Sequence, residues 1–185
     1  MEVSTRRLPG SAGADTALMQ RLADLVNVVY AESEQGMWND GAARTSTTEM
    51  ASMTAAGEIV VATLGRETVG CVRLRRIDET TAEFGVLAAD PARRGVGVGR
   101  ELVRHVERVS AADGVTTMRL EVLVPREWSH PSKEFLIGWY TRIGYRRTGT
   151  GRVDEAHPHL APLLATPCDV AQFAKPLTES SFGAE

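Results

Sequence analysis

A run of eight residues, Arg93-Arg-Gly-Val-Gly-Val-Gly-Arg100, carries the strongest chemical signal in the chain. Three alternating glycines let a main chain approach a ligand closely and take conformations that residues with a Cβ resist. The run stands between a strand-like segment and a helix-like one, so the unpaired amides of the helix's first turn point at whatever the glycines admit. Backbone donors at the positive end of a helix dipole suit an anion such as a pyrophosphate. A flexible turn is the plainer alternative. Spacing excludes two phosphate loops. The pattern G-x-G-x-x-G fails from Gly95, where its last position is Arg100, and from Gly97, where it is Leu102. A P-loop requires Gly-Lys, and no lysine in the chain follows a glycine. ATP and the nicotinamide dinucleotides thereby lose their main support, and a Rossmann oxidoreductase with them.

The elements around this loop follow from hydrophobic periodicity. Glu2 to Leu8 alternate loosely as a first strand, and Pro9-Gly-Ser-Ala-Gly is turn chemistry. Asp15 is placed to cap a helix whose Leu18, Met19, Leu22, Leu25, Val26 and Val29 form one apolar face, ending near Ser33. Ser46-Thr-Thr-Glu49 spells a capping box for a short helix to Gly57. Ile59 to Thr63, Thr68 to Leu74 and Ala82 to Leu87 read as an antiparallel meander. After the glycine run, Val98, Leu102, Val103, Val106 and Val109 make a helical stripe that stops at Asp113-Gly114. Thr117 to Val124 is a strand, and the three elements from the meander's last strand form a right-handed crossover. Ser132 is expected to cap a helix through Ile143, with Gly144 ending it and Tyr145 opening another strand. Pro158, Pro162 and Pro167 break up residues 154–167, Asp169 to Ala174 is a last strand, and Leu177 onward is expected to be a tail.

Composition bounds the class. At 185 residues, 43% hydrophobic and 24% charged, the chain is an ordinary globular one able to bury a core without staples. Two cysteines and no charged-then-apolar leader after Met1 point to a reducing cytoplasm. No apolar run approaches the roughly 20 residues that span a bilayer, so no membrane partner is expected. A formal charge of -3 argues against a general nucleic-acid footprint.

The order Arg94-Gly-Val-Gly97-Val-Gly99 resembles the acyl-CoA-binding signature of the GNAT superfamily of N-acyltransferases: Arg or Gln, two residues, Gly, one residue, Gly or Ala. The likeness extends upstream through Ala82-Glu-Phe-Gly-Val-Leu-Ala-Ala-Asp-Pro-Ala-Arg-Arg-Gly and downstream through Trp139-Tyr-Thr-Arg-Ile-Gly-Tyr145. The implied fold is α/β: a central mixed, mostly antiparallel sheet of six to seven strands flanked by about four helices. It would occupy residues 1–176 as one domain, with 177–185 as a flexible tail.

The resemblance implies acetyl-CoA as acyl donor, with no metal, and direct attack by a primary amine on the thioester. Arg94, Gly95, Val96, Gly97, Val98, Gly99 and Arg100 would hold the pyrophosphate, and the backbone of Leu87, Ala88 and Ala89 the pantetheine arm. An ammonium of pKa ~10.4 must first lose a proton, and the departing thiolate must gain one. Tyr140 matches the family's general acid; it is otherwise a core aromatic sharing a helical face with Leu136 and Ile143. Glu83 stands where relatives carry a proton-relaying Glu, and a solvated strand carboxylate is the alternative. Seven residues before Tyr140, where many relatives place an Asn against the pantetheine, this chain has Lys133, whose ammonium could reach a phosphate instead. A non-catalytic acyl-CoA-binding regulator is the alternative function, and monomer and homodimer both stay open.

Three other groupings carry less. His157-Pro-His159 with Asp154, Glu155 and Cys168 matches no zinc spacing and reads as a solvent-facing turn. Cys71 reads as a small buried hydrophobe. Tyr30, Glu32, Glu34, Trp38, Trp128 and His130 could receive a cationic amine, or be a solvated helix end with one anchoring Trp.

Overall fold

The β-branched run Ile59-Val-Val forms a strand because such side chains pack well on a pleated surface, and in the computed structural model it is buried on both faces. The structure describes residues 2–177, in two compact units: residues 2–30, 43–118 and 177 form one, residues 31–42 and 119–176 the other. The described residues contain seven strands and five α-helices, an α/β arrangement as expected.

In the first unit β1 (Val3–Arg7), β2 (Ile59–Leu64), β3 (Glu67–Arg76) and β4 (Thr81–Ala89) pair antiparallel in that order. On one face Met19, Leu22 and Val26 of α1 (Thr16–Ser33) and Met50 of α2 (Thr47–Ala55) are buried with Ile59, Val61 and Cys71. Burying such side chains contributes roughly 1.5–3 kcal/mol each, far more than helix propensity supplies. Both helices start where the sequence predicts: Leu18 N donates to Asp15 Oδ1, and Ser46 and Glu49 exchange the two bonds of the capping box. The third helix, α3 (Val98–Ala112), packs on the same four strands. Gly70 adjoins Cys71 and so turns to the opposite face, where a Cβ would stand 2.7 Å from Val98 Cγ1 and 2.9 Å from the Ala88 carbonyl oxygen. That missing carbon is what lets the first turn of α3 lie against the sheet.

The second unit holds β5 (Thr117–Pro125, whose first two residues fall in the first unit), β6 (Arg146–Arg152) and β7 (Cys168–Pro176), in the order β5-β7-β6. It also holds α4 (Pro131–Arg142) and the single turn α5 (Val153–Ala156). The expected cap of α4 moves from Ser132 to His130, whose Nδ1 accepts from Ser132 N at 3.2 Å. Pro131 decides this, because its fixed φ and missing N–H favour the first helical position. Gly144 ends the segment at φ +102°. Leu177, expected to begin the tail, is buried and donates its N–H to the Thr116 carbonyl at 2.8 Å. Residues 178–185, on which the rest of that expectation falls, lie outside the described residues.

One buried ion pair ties this unit together. Lys133 Nζ, one of two lysine ammonium groups in the chain, bonds Glu34 Oε1, and Trp38 Nε1 donates to Glu34 Oε2 at 2.5 Å. The lysine and glutamate side chains are 6% and 1% exposed, so neither charge has water to fall back on.

Two substitutions test this packing by urea denaturation. Gly70→Ala is expected to cost about 1–3 kcal/mol, because a backbone oxygen as well as a side chain must give way. Lys133→Met is expected to cost about 3–5 kcal/mol, because it strands a buried carboxylate.

Candidate active site

The glycine run keeps its two halves distinct. Gly95 and Gly97 have φ of +83° and +89°, and a Cβ on either would meet no atom within 4 Å. Their requirement is conformational, and the space beside them is open. Gly97 is the N-cap of α3 and offers no side chain to cap it, so the first-turn amides of Val98, Gly99 and Arg100 have no intrahelical acceptor by geometry. Gly99 lies within the helix. Val98 is buried under the sheet, whereas Arg94, Val96 and Arg100 are exposed; Arg93 instead pairs with Glu67 at 2.8 Å. In this unit the first-turn amides and the exposed residues Arg94 and Arg100 lie in one short segment.

β4 brings a feature that alternation did not reveal. Opposite Cys71 lies Ala88, but opposite Arg73 lies Gly85, so Val72 faces two residues, Val86 and Leu87. This is a β-bulge, and Val86 occupies it at φ +52°, a conformation that costs a β-branched residue on the order of 1–3 kcal/mol. Gly85 inside a strand was the available signal. Leu87 belongs to the bulge, while Ala88 and Ala89 pair with Cys71 and Gly70 of β3. Earlier on the same strand, Glu83 Oε1 accepts from Arg75 Nη2 at 2.9 Å. It is an ion-paired carboxylate rather than a solvated one.

Tyr140 lies in the other unit, on α4, 5% exposed. Its ring centroid is 4.9 Å from that of Trp139 and 5.9 Å, edge-on, from that of Tyr145. Its carbonyl accepts from Tyr145 N, so the end of α4 is held by Gly144 and the residue after it. The Tyr140 ring thus belongs to a fixed, buried aromatic cluster.

Several groups proposed for a cationic acceptor are engaged elsewhere. Glu34 holds Lys133 and Trp38, so its cation is internal, and Lys133 is not free to reach a phosphate. His130 Nε2 lies 3.1 Å from the Gln35 carbonyl while its Nδ1 accepts from Ser132, which uses both ring nitrogens of a neutral imidazole. Trp128 donates to Thr166 Oγ1 at 3.1 Å, and Tyr30 carries the Arg44 guanidinium over its ring at 5.1 Å. Cys71 is fully buried, which pushes its thiol up to about 12; burial pushes Cys168 up to about 11. Neither supplies a thiolate at neutral pH.

The turn at residues 157–159 is exposed at Pro158 and His159, and the His157 side chain is 34% exposed. His157 also has a partner: its Nε2 lies 2.7 Å from Glu121 Oε2 on β5, and Gln172 Nε2 of β7 donates to Glu121 Oε1 at 3.3 Å. The bond from His157, aided by that from Gln172 and opposed by burial, holds the Glu121 carboxyl below its usual range. Nearby, an open cavity of about 320 Å³ has Arg126, Arg152 and Asp154 on its lining, with Arg126 bonded to Asp169 and Arg152 to Asp154. Among the described residues no three His, Cys, Asp or Glu side chains gather as a metal site, and no helix is long and apolar enough to cross a membrane.

Comparison with known proteins places these features. The model of the Acetyltransferase (GNAT) family matches residues 23–145, a span that includes the glycine run, the bulged strand and Tyr140. No curated protein matches. Among solved structures, the PaiA N-acetyltransferase from Thermoplasma acidophilum in complex with coenzyme A is similar at TM-score 0.68 and 14% identity, covering 95% of this chain and 99% of that one. An aminoglycoside 6'-N-acetyltransferase complexed with coenzyme A gives 0.67 and 18%, covering 96% and 98%. An IAA acetyltransferase from Bacillus cereus gives 0.63 and 18%, covering 95% and 100%. At these identities the structures speak to fold, and the family match speaks to descent; on that match, covering most of the chain, the protein belongs to the GNAT family of acetyltransferases.

Proposed function

We propose that the protein transfers an acetyl group from acetyl-CoA to a primary amine by direct attack on the thioester. The observation that carries this reading is the pair of left-handed glycines before α3, which leaves first-turn amides uncapped beside open space. An anion with two phosphate groups fits such a cradle, with Arg94 and Arg100 adding charge. The backbone of Leu87 to Ala89 is the proposed partner of the pantetheine arm, beside a bulge that leaves Val86 and Leu87 outside the residue-to-residue pairing with β3.

Two proton transfers complete the reaction. When the C–S bond breaks, the sulfur needs a proton, and the phenol O–H of Tyr140 is a donor of the kind able to give one. The acceptor ammonium must lose a proton beforehand. Glu83 is the acceptor that the resemblance implies, but a proton arriving there meets a carboxylate already bonded to Arg75. Residues 1–176 are proposed to act as one domain, in a protein of the cytoplasm that needs no metal.

Acetyl-CoA at about one hundred times its Kd is expected to stabilise the fold by about 2.7 kcal/mol, read as a rise in Tm. Gly97→Ala is expected to lose most of that rise while costing the apoprotein only about 1–2 kcal/mol, because the left-handed backbone, not crowding, resists the methyl group. In a thiol-release assay across a panel of amines, Tyr140→Phe is expected to lower kcat about a hundredfold with KM for acetyl-CoA unchanged. Binding of acetyl-CoA without thiol release by any amine would instead make the protein an acyl-CoA-binding regulator.

A further inference from the structure

We propose that the outer face of α3 docks the acidic helix of a carrier protein whose acetyl group hangs on phosphopantetheine, a second class of donor beside acetyl-CoA; the proposal rests on the acyl-transfer reading above. α3 turns its apolar stripe to the sheet, and only four of its residues are exposed: Arg100, Arg104, Arg108 and Ala112. A spacing of four sets the three arginines on one face, in a row about 12 Å long. Such a row works against the helix. Like charges four residues apart repel, and Arg100 stands in the first turn, at the positive end of the dipole.

Little on the protein offsets these charges. Glu101 lies 3.5 Å from Arg104 Nη1, whereas Arg100 and Arg108 have no acidic partner among the described residues. Glu107 is packed inward, 4% exposed. Arg7, at the end of β1, adds a further cation beside the row. It acts with Arg108 on His105, whose Nδ1 lies 2.9 Å from Thr5 Oγ1 and 3.4 Å from Arg108 Nη2. Burial first, and then these two guanidinium groups, hold that imidazole below its usual pKa. The positive row belongs to a chain whose formal charge is -3.

Spacing and position choose the occupant. A helix with carboxylates four residues apart repeats them every ~6 Å, the interval of this row, so two such helices match charge for charge. Arg100 is both the last residue of the glycine run and the first of the row. One partner can therefore occupy both: a phosphodiester joining pantetheine to the start of an acidic helix takes the uncapped amides of α3, and the carboxylates beyond it take Arg104 and Arg108. A nucleic-acid duplex spreads its charge over a wider face and meets the net negative charge of the chain. Chemistry at the thioester is unchanged by the carrier. The amine nitrogen bonds the acetyl carbon and the bond to the pantetheine sulfur breaks; one ammonium and one thioester become one amide, one thiol and one proton released to solvent.

The experiment measures binding of a fluorescently labelled acyl carrier protein, charged with acetyl-phosphopantetheine, by anisotropy at low salt, beside the acetyl-CoA thermal shift. The wild type is expected to bind it, and to bind the same carrier without the phosphopantetheine arm about tenfold or more weakly. Arg104→Glu with Arg108→Glu is expected to weaken carrier binding about tenfold or more and to leave the acetyl-CoA shift unchanged. Arg104→Gln with Arg108→Gln is expected to act in the same direction by about threefold, and carries the test should the reversal fail to fold. If acetyl-CoA stabilises the wild type but the carrier does not bind, or binds the variants equally well, the proposal falls while acyl transfer stands. Loss of the acetyl-CoA shift in the variants assigns the row to coenzyme A itself and also overturns the proposal, as does a short duplex that binds more tightly than the carrier. A wild type that neither acetyl-CoA nor the carrier stabilises overturns the reading of the glycine run and this proposal together.

Discussion

At Val86 a β-branched side chain sits on a backbone with φ +52°, and the course of the chain into the glycine run depends on it. Phe84 lies opposite Leu74 and Ala88 opposite Cys71. Leu74 and Cys71 are three residues apart and face opposite sides of the sheet, so Phe84 and Ala88 do too. In a regular strand, residues four apart would share a face. The extra residue reverses the alternation, turns Ala88 into the core beneath α1 and α2, and brings the chain to Asp90 and the glycine run in the matching phase. Such strain persists only where the surroundings over-determine it, and Val86 is packed against that same core.

The return side of the loop is set by a second tight fit. Val98 and Leu102 descend onto Gly70, which sits one residue from the core cysteine on β3. Bulge and close approach act at the two ends of one short connection, so the left-handed glycines between them are held on both sides by packed elements. A cradle of backbone amides is worth most when its donors need not reorganise around the anion. The sheet-side contacts of this unit provide that rigidity.

Several charges elsewhere are spent within the protein. Glu34 is satisfied by Lys133 and Trp38, Glu83 by Arg75, Arg126 by Asp169 and Arg152 by Asp154. These pairings remove carboxylates that residue type alone would offer to a cationic acceptor.

Much of this was legible in the residues themselves, because local rules needed no partner. The capping box at Ser46 and Glu49, the Asp15 cap, the apolar face of α1 and the glycine spacing before α3 each depend on neighbours a few positions away. The bulge at Val86, the cap at His130 and the pairs joining Glu34 to Lys133 and Glu121 to His157 were not legible in the same way. The partners of the two pairs stand 99 and 36 positions apart, and whether a charge is solvated or paired is decided by what the chain brings beside it. By itself the sequence determined the elements, the glycine loop and the family, since periodicity and spacing are local quantities. Only the tertiary structure decided which titratable groups are occupied and which remain available for chemistry, because burial and long-range pairing exist only in the folded chain.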